Sequence, residues 1–139
     1  MNKVILDTDI FLESRKRRNQ QVVTRGAAYL AAFSYYTISI VTVTEIVKGW
    51  QKLQREDRIQ QFLAEISKTE ILTLDHKGAE LAGRICGGLE SIGQPIGLAD
   101  SMIAATALQY NLTLVTGNLS HYQRIQAIGY ELQLDNWRT

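Results

Sequence analysis

Four short apolar runs punctuate the chain: KVIL at 3–6, TISIV at 37–41, EILTL at 70–74 and TLVT at 113–116. They are short and mostly apolar rather than long alternating runs, and 37–41 is rich in β-branched residues, so they predict short strands buried on both faces. Between them the apolar period lengthens. Residues 9–18 (DIFLESRKRR) predict a helix with a basic end, and 20–33 an Ala-rich helix weakened by Gly26. Thr42 and Glu45 fit a capping box opening the helix TVTEIVKGWQKLQ. Ile59, Phe62, Leu63 and Ile66 form one apolar helical stripe in a polar segment. Asp75 is placed to cap the helix 76–93, in which Leu81, Ile85, Leu89 and Ile92 repeat near helical period. Pro95 breaks the chain; a small-residue helix follows at 98–110, then a short helix at Leu119–Ile128 and a closing edge strand or tail at 131–137. Strands separated by helices imply a parallel sheet of four or five strands, covered on both faces.

In such a sheet, the junctions where strands give way to helices gather at one edge, the usual ligand crevice. Asp7 follows the first strand, Glu45 follows the second, and Asp100 opens the helix after Pro95; Asn118 lies at a fourth junction. Each acid has a structural use: Asp7 as a helix cap, Glu45 as the third residue of a capping box, Asp100 against a helix dipole. Together they mean more, because carboxylates crowded at one edge repel unless a cation joins them. Hard divalent ions such as Mg²⁺ or Mn²⁺ prefer oxygen ligands. The separations, 38 residues from Asp7 to Glu45 and 55 from Glu45 to Asp100, are too long for a local calcium loop.

Bulk composition narrows the classes. The 139 residues fit a single domain, 1–139, and a net charge of +1 excludes a grip on nucleic acid by bulk charge alone. One cysteine, Cys86, forbids an intrachain disulfide and points to a reduced, cytoplasmic setting; it reads as a small buried residue. No signal peptide and no membrane-spanning run is expected. Two histidines and one cysteine lack zinc-site spacing, and there is neither a dinucleotide fingerprint nor a phosphate-binding P-loop.

The start VILDTDIF, the TVTEI helix opening, the segment GQPIGLADSMIAATALQYNLTLVTGNLSHYQRI and the closing LDNW resemble the PIN-domain family, more narrowly the VapC toxins of bacterial toxin–antitoxin pairs. The likeness spans nearly the whole chain; its specific part is the LAD-x-x-IAA-x-A segment with LVT-x-N. It implies a three-layer α/β/α sandwich and a Mg²⁺- or Mn²⁺-dependent ribonuclease, working as a homodimer and held inactive by a cognate antitoxin. By position, Asp7, Glu45 and Asp100 match the family's main acids, both as catalytic residues and as metal ligands. Thr8 and Thr116 match supporting polar positions, and Asn118 falls where relatives carry Asp or Asn. His121 stands where many relatives have a further acid, so the far side of the cluster is less acidic here, and Tyr122 matches the family's aromatic.

Other residues keep two readings. Arg15, Lys16, Arg17 and Arg18 suit a solvated helix end or an RNA backbone. The stripe through Phe62 is core packing or a groove for an antitoxin helix. Tyr35 and Tyr36 pack or stack on bases. His121 is a general acid or, more simply, a surface turn residue; His76 earns no role. Two rival functions remain open: a silent RNA- or protein-binding module, and a haloacid-dehalogenase-like phosphatase using Asp7 as nucleophile and Asp9 as acid/base.

Overall fold

The computed structural model describes residues 1–139. Five strands are β1 (Val4–Leu6), β2 (Thr37–Ser39), β3 (Glu70–Leu72), β4 (Thr113–Val115) and β5 (Leu134–Asp135). Seven helices are α1 (Thr8–Lys16), α2 (Gln20–Phe33), α3 (Ile40–Lys52), α4 (Glu56–Glu65), α5 (His76–Ser91), α6 (Leu98–Gln109) and α7 (Leu119–Ala127). All strand pairs are parallel, as the short, mostly apolar runs predict. Hydrogen bonding divides the strands into β1-β4-β5 and β2-β3, and β1 runs beside β2. The expected single sheet is therefore two short ladders edge to edge.

The pleat sorts the strand residues between two cores. Val4, Leu6, Ile38 and Val115 point into one with Ile10, Phe11, Val22, Tyr29, Ile46, Phe62 and Trp137. Ile5 and Leu114 point into the other with Ile85, Leu89, Ile103, Ala104 and Ile125. Helices α1–α4 thus cover one face and α5–α7 the opposite one, which gives three layers. Each fully buried aliphatic side chain contributes about 1.5–3 kcal/mol of transfer free energy. In α6, Ser101, Thr106 and the alanines between them are buried, so the helix lies close against its neighbours. The Ser101 and Thr106 hydroxyls donate back to Gly97 O and Met102 O, both at 2.8 Å, leaving no orphan donor.

Several boundaries differ from the sequence reading. The helix expected at 9–18 starts at Thr8 and ends at Lys16, because Arg17 turns left-handed (φ 56°) and closes it. The strand expected at 37–41 stops at Ser39, whose hydroxyl accepts from Val41 N at 3.0 Å and caps α3. Ile40 and Val41 are helical despite their β-branching, since cap and packing outweigh intrinsic preference. Thr42 is consequently not a cap, and Glu45 lies in the second turn of α3. Asp75 does cap α5, accepting from Gly78 N at 2.8 Å. In the α4 stripe Ile59 and Phe62 are buried, whereas Leu63 faces solvent. Tyr36 packs with Phe11, Tyr29 and Trp137, and Tyr35 lies on the surface under Lys3. Cys86 is half-buried beside Glu90 rather than enclosed.

Candidate functional site

Asp7 ends β1 in extended conformation and caps α1. Its main-chain N donates to Val115 O at 2.8 Å, which fixes it beside the end of β4. Both carboxylate oxygens are engaged: Oδ1 accepts from Thr8 N (2.9 Å) and Oδ2 from the Thr116 hydroxyl (2.8 Å). The side chain is buried, with the residue only 7% exposed. Burial first, then the charge on Asp9 and, more weakly, that on Asp100, pushes its carboxyl up to about 7; the bonds from Thr116 and Thr8 oppose this.

Asp100 comes to the same edge from the first turn of α6. Gly97 opens that helix at φ +93°, a backbone region that favours glycine, and supplies no side-chain cap. Asp100 therefore serves the positive helix end as well as the site. Burial raises its carboxyl above the ordinary range, and His121 pulls it back. His121 is not a free turn residue: it sits in α7 with Nε2 3.0 Å from Asp100 Oδ2 and 2.8 Å from Ile96 O. Because a carbonyl only accepts, Nε2 carries the proton. Tyr122, the next residue, buries its hydroxyl close to Asp7 and Asp100, yet that oxygen closes no well-formed hydrogen bond. Burial and the two carboxylates push its phenol far above the ordinary value, so it stays protonated, a donor without a partner.

Glu45 joins through Thr8. The Thr8 hydroxyl donates to Glu45 Oε1 at 2.7 Å and, having one proton, accepts from Thr42 at 3.0 Å. This sets Glu45 beside the Asp7–Thr8 junction without bringing three carboxylates together. No three Asp, Glu, His or Cys side chains converge into a ready-made metal cage. In place of the expected three-acid pocket, Asp7 and Asp100 both face the buried Tyr122 hydroxyl, with Glu45 alongside Asp7 through Thr8. Asn118 enters through its backbone: its N donates to the Thr116 hydroxyl at 3.0 Å, and its side chain is exposed.

Two nearby residues were not among the sequence-predicted acids of this site, Asp9 having entered only through the phosphatase reading. Asp9 accepts from Ile10 N (2.7 Å) and Gly117 N (3.0 Å), and Arg138 lies against it. The doubled acid in LDTD was a usable signal for Asp9. Nothing local marks Arg138, which is 129 residues away from Asp9 in the chain.

A groove of about 600 Å³ runs off the Glu45 side, between α1, α3 and α4. Leu12, Ile46, Trp50 and Phe62 line it together with Arg15, Lys16, Arg18 and Arg58. Arg15 lies over the Phe62 ring and Arg58 over Trp50, while Arg15 also pairs with Glu65. Thr8, Leu12 and Arg15 are one stripe of α1, and Thr42, Ile46 and Trp50 follow the facing stripe of α3. The groove thus continues the Thr8–Glu45 contact. Arg17 is not among its lining residues.

Comparison with known proteins settles the family. A PIN domain model matches residues 4–126. This chain belongs to the PIN domain family, in its VapC branch. Ribonuclease VapC2 of Haemophilus influenzae is 33% identical over 99% of both chains. The tRNA(fMet)-specific endonuclease VapC of Salmonella typhimurium is 32% identical over 94% of this chain and 98% of its own. Among solved structures, DNA-bound VapBC from Salmonella typhimurium superposes with a TM-score of 0.79 at 30% identity, covering 99% of both chains. The phosphatase reading of the Asp7-Thr8-Asp9 run falls away with this membership. No helix of this PIN domain is long and apolar enough to cross a membrane.

Proposed function

We propose that this PIN domain is a Mg²⁺- or Mn²⁺-dependent endoribonuclease, the toxin of a toxin–antitoxin pair. The observation that carries the reading is the meeting of Asp7 and Asp100, gripped by Thr116, Thr8 and His121, around the orphan hydroxyl of Tyr122. The buried Asp7 carboxylate and the half-buried Asp100 carboxylate, which repel each other, form a hard oxygen donor set. They suit Mg²⁺, which is commonly held by one or two carboxylates with waters completing its shell. Asp7 and Asp100 would hold the ion, and Glu45 would approach it from the Thr8 side. When bound, such an ion supplies Lewis acidity toward water and phosphate oxygens.

The chain's own groups do the rest. Thr116 and Thr8 hold Asp7 in one orientation, so its position costs little reorganisation. Glu45, anchored by one oxygen to Thr8, keeps Oε2 free to orient water or accept its proton. His121 Nε2–H keeps Asp100 turned to the site. Arg15, Lys16 and Arg18, at and just past the end of α1, bind an RNA backbone along the groove without reading sequence. The Salmonella relative is named for initiator tRNA and its solved complex contains an antitoxin and DNA, which supports initiator tRNA as substrate and a DNA-binding antitoxin as inhibitor. We further infer a homodimer acting in the cytoplasm.

The test is cleavage of initiator tRNA by the purified chain in Mg²⁺, giving 5′-phosphate and 3′-hydroxyl ends. Chelation, Asp7→Asn or Asp100→Asn should each abolish it while the fold survives. Undiminished cleavage under excess chelator would sink the metal-dependent reading. The lack of a three-ligand cage favours one second reading, a silent module. RNA binding that ignores Mg²⁺ and yields no product would establish that alternative.

A further inference from the structure

One more charged group reaches the acid edge from the opposite end of the chain. The closing segment is strapped down: Thr116 N donates to Asp135 O at 2.9 Å, and Trp137 is buried. Arg25 donates to Asp135 Oδ2 at 2.7 Å and to Asn136 O at 2.9 Å. From this strap the Arg138 guanidinium bridges Glu13 and Asp9, standing 3.6 Å from Asp9 Oδ2. It passes directly over Gly117; a Cβ there would run into the guanidinium and Asp9 Oδ2.

We propose that Arg138 is a positioning residue for the acid site, locking Asp9 and the Thr116–Asn118 turn so that the Thr116 hydroxyl meets Asp7. The chain of contacts is continuous. Arg138 holds Asp9; Asp9 Oδ2 accepts from Gly117 N at 3.0 Å; the adjoining Thr116 hydroxyl donates to Asp7 Oδ2 at 2.8 Å. Arg138 also offsets the mutual repulsion of Asp9 and Glu13, and Asp9 in turn stands beside Asp7. With Arg138 in place, Asp9 is committed to Ile10 N and Gly117 N and does not compete for an ion at Asp7. A guanidinium fork spans both acids, whereas a lysine ammonium offers a single point charge.

The inference rests on the metal-dependent reading, and the experiment keeps the two separable. Mn²⁺ binding is measured by calorimetry on the full chain without RNA, alongside kcat and KM for cleavage. Arg138→Ala should weaken Mn²⁺ binding and lower kcat, each by about 10-fold or more, with KM nearly unchanged. Arg138→Lys should fall between Arg138→Ala and wild type. Arg25→Ala loosens the same strap without touching the acids; it should lower the melting temperature and leave Mn²⁺ affinity alone. Wild-type Mn²⁺ affinity in Arg138→Ala would overturn the proposal, as would Arg25→Ala reproducing the loss, since Arg138 would then only tether the tail. If Arg138→Ala does not fold, Arg138→Lys decides, and unchanged affinity there overturns it. A wild-type chain that takes up no Mn²⁺ is the distinct outcome that removes the metal reading itself.

Discussion

Asp7 sits where charge is least comfortable, buried and beside Asp9 and Asp100. Its carboxyl titrates near 7 in the folded chain, against an ordinary value of 3.8. Between those two pH values the folded state holds the proton more tightly than the unfolded state. Stability from this group is therefore present below about pH 4 and is lost as pH rises through 7, by linkage about 4 kcal/mol in all. In chelator, the melting temperature should fall steadily from pH 5 to pH 8. Asp7→Asn should flatten most of that fall, leaving a residual slope from Asp9 and Asp100, which burial also raises. Mg²⁺ should restore the wild-type melting temperature at pH 8 and leave Asp7→Asn unmoved. A wild-type melting temperature independent of pH would show that Asp7 is not strained by its surroundings. Thr116→Val removes the hydroxyl that steadies Asp7 Oδ2 and should raise the Mg²⁺ concentration needed for half-maximal cleavage by about 10-fold.

At the scale of elements, α3 shows how a helix start sets a functional residue. Ser39 caps it, so Thr42 is free to face Thr8, and Glu45 follows one turn later on the same side. Ser39→Ala should cost about 1 kcal/mol of stability, read by denaturant unfolding. Thr42→Val should cost cleavage more than stability, because it breaks the Thr8 link and uncaps nothing. Equal stability losses in both would return the cap to Thr42. This is also where the sequence misled: a capping-box spacing at Thr42 and Glu45 competed with a serine three residues earlier, inside a β-branched run that reads as strand. Asp75, free of such competition, was legible as the cap of α5. The α1 boundary failed for a related reason, since nothing in a run of four basic residues marks which one turns left-handed.

Across the whole molecule, the strap and the groove carry the remaining tests. Trp137 packs on Tyr29 and Tyr36, and Trp137→Ala should cost about 3–5 kcal/mol, seen as a lower urea midpoint. Replacing Arg15, Lys16 and Arg18 together by Ala should weaken RNA binding across sequences and flatten its salt dependence by about 2 in log–log slope. An unchanged slope would assign the groove elsewhere. The apolar run ending at Asp7 and the helix start at Asp100 after Pro95 were enough to read a parallel α/β sheet, its buried strands and two acids at helix openings, because strand composition and helix-start chemistry are local properties of a few residues. That Asp7 and Asp100 come to the same edge, that Glu45 reaches it through Thr8, that His121 faces Asp100, and that Arg138 crosses Gly117 to Asp9 were decided in three dimensions. Those contacts join residues tens to more than a hundred positions apart, and their geometry depends on how two helical layers pack, which no local pattern encodes.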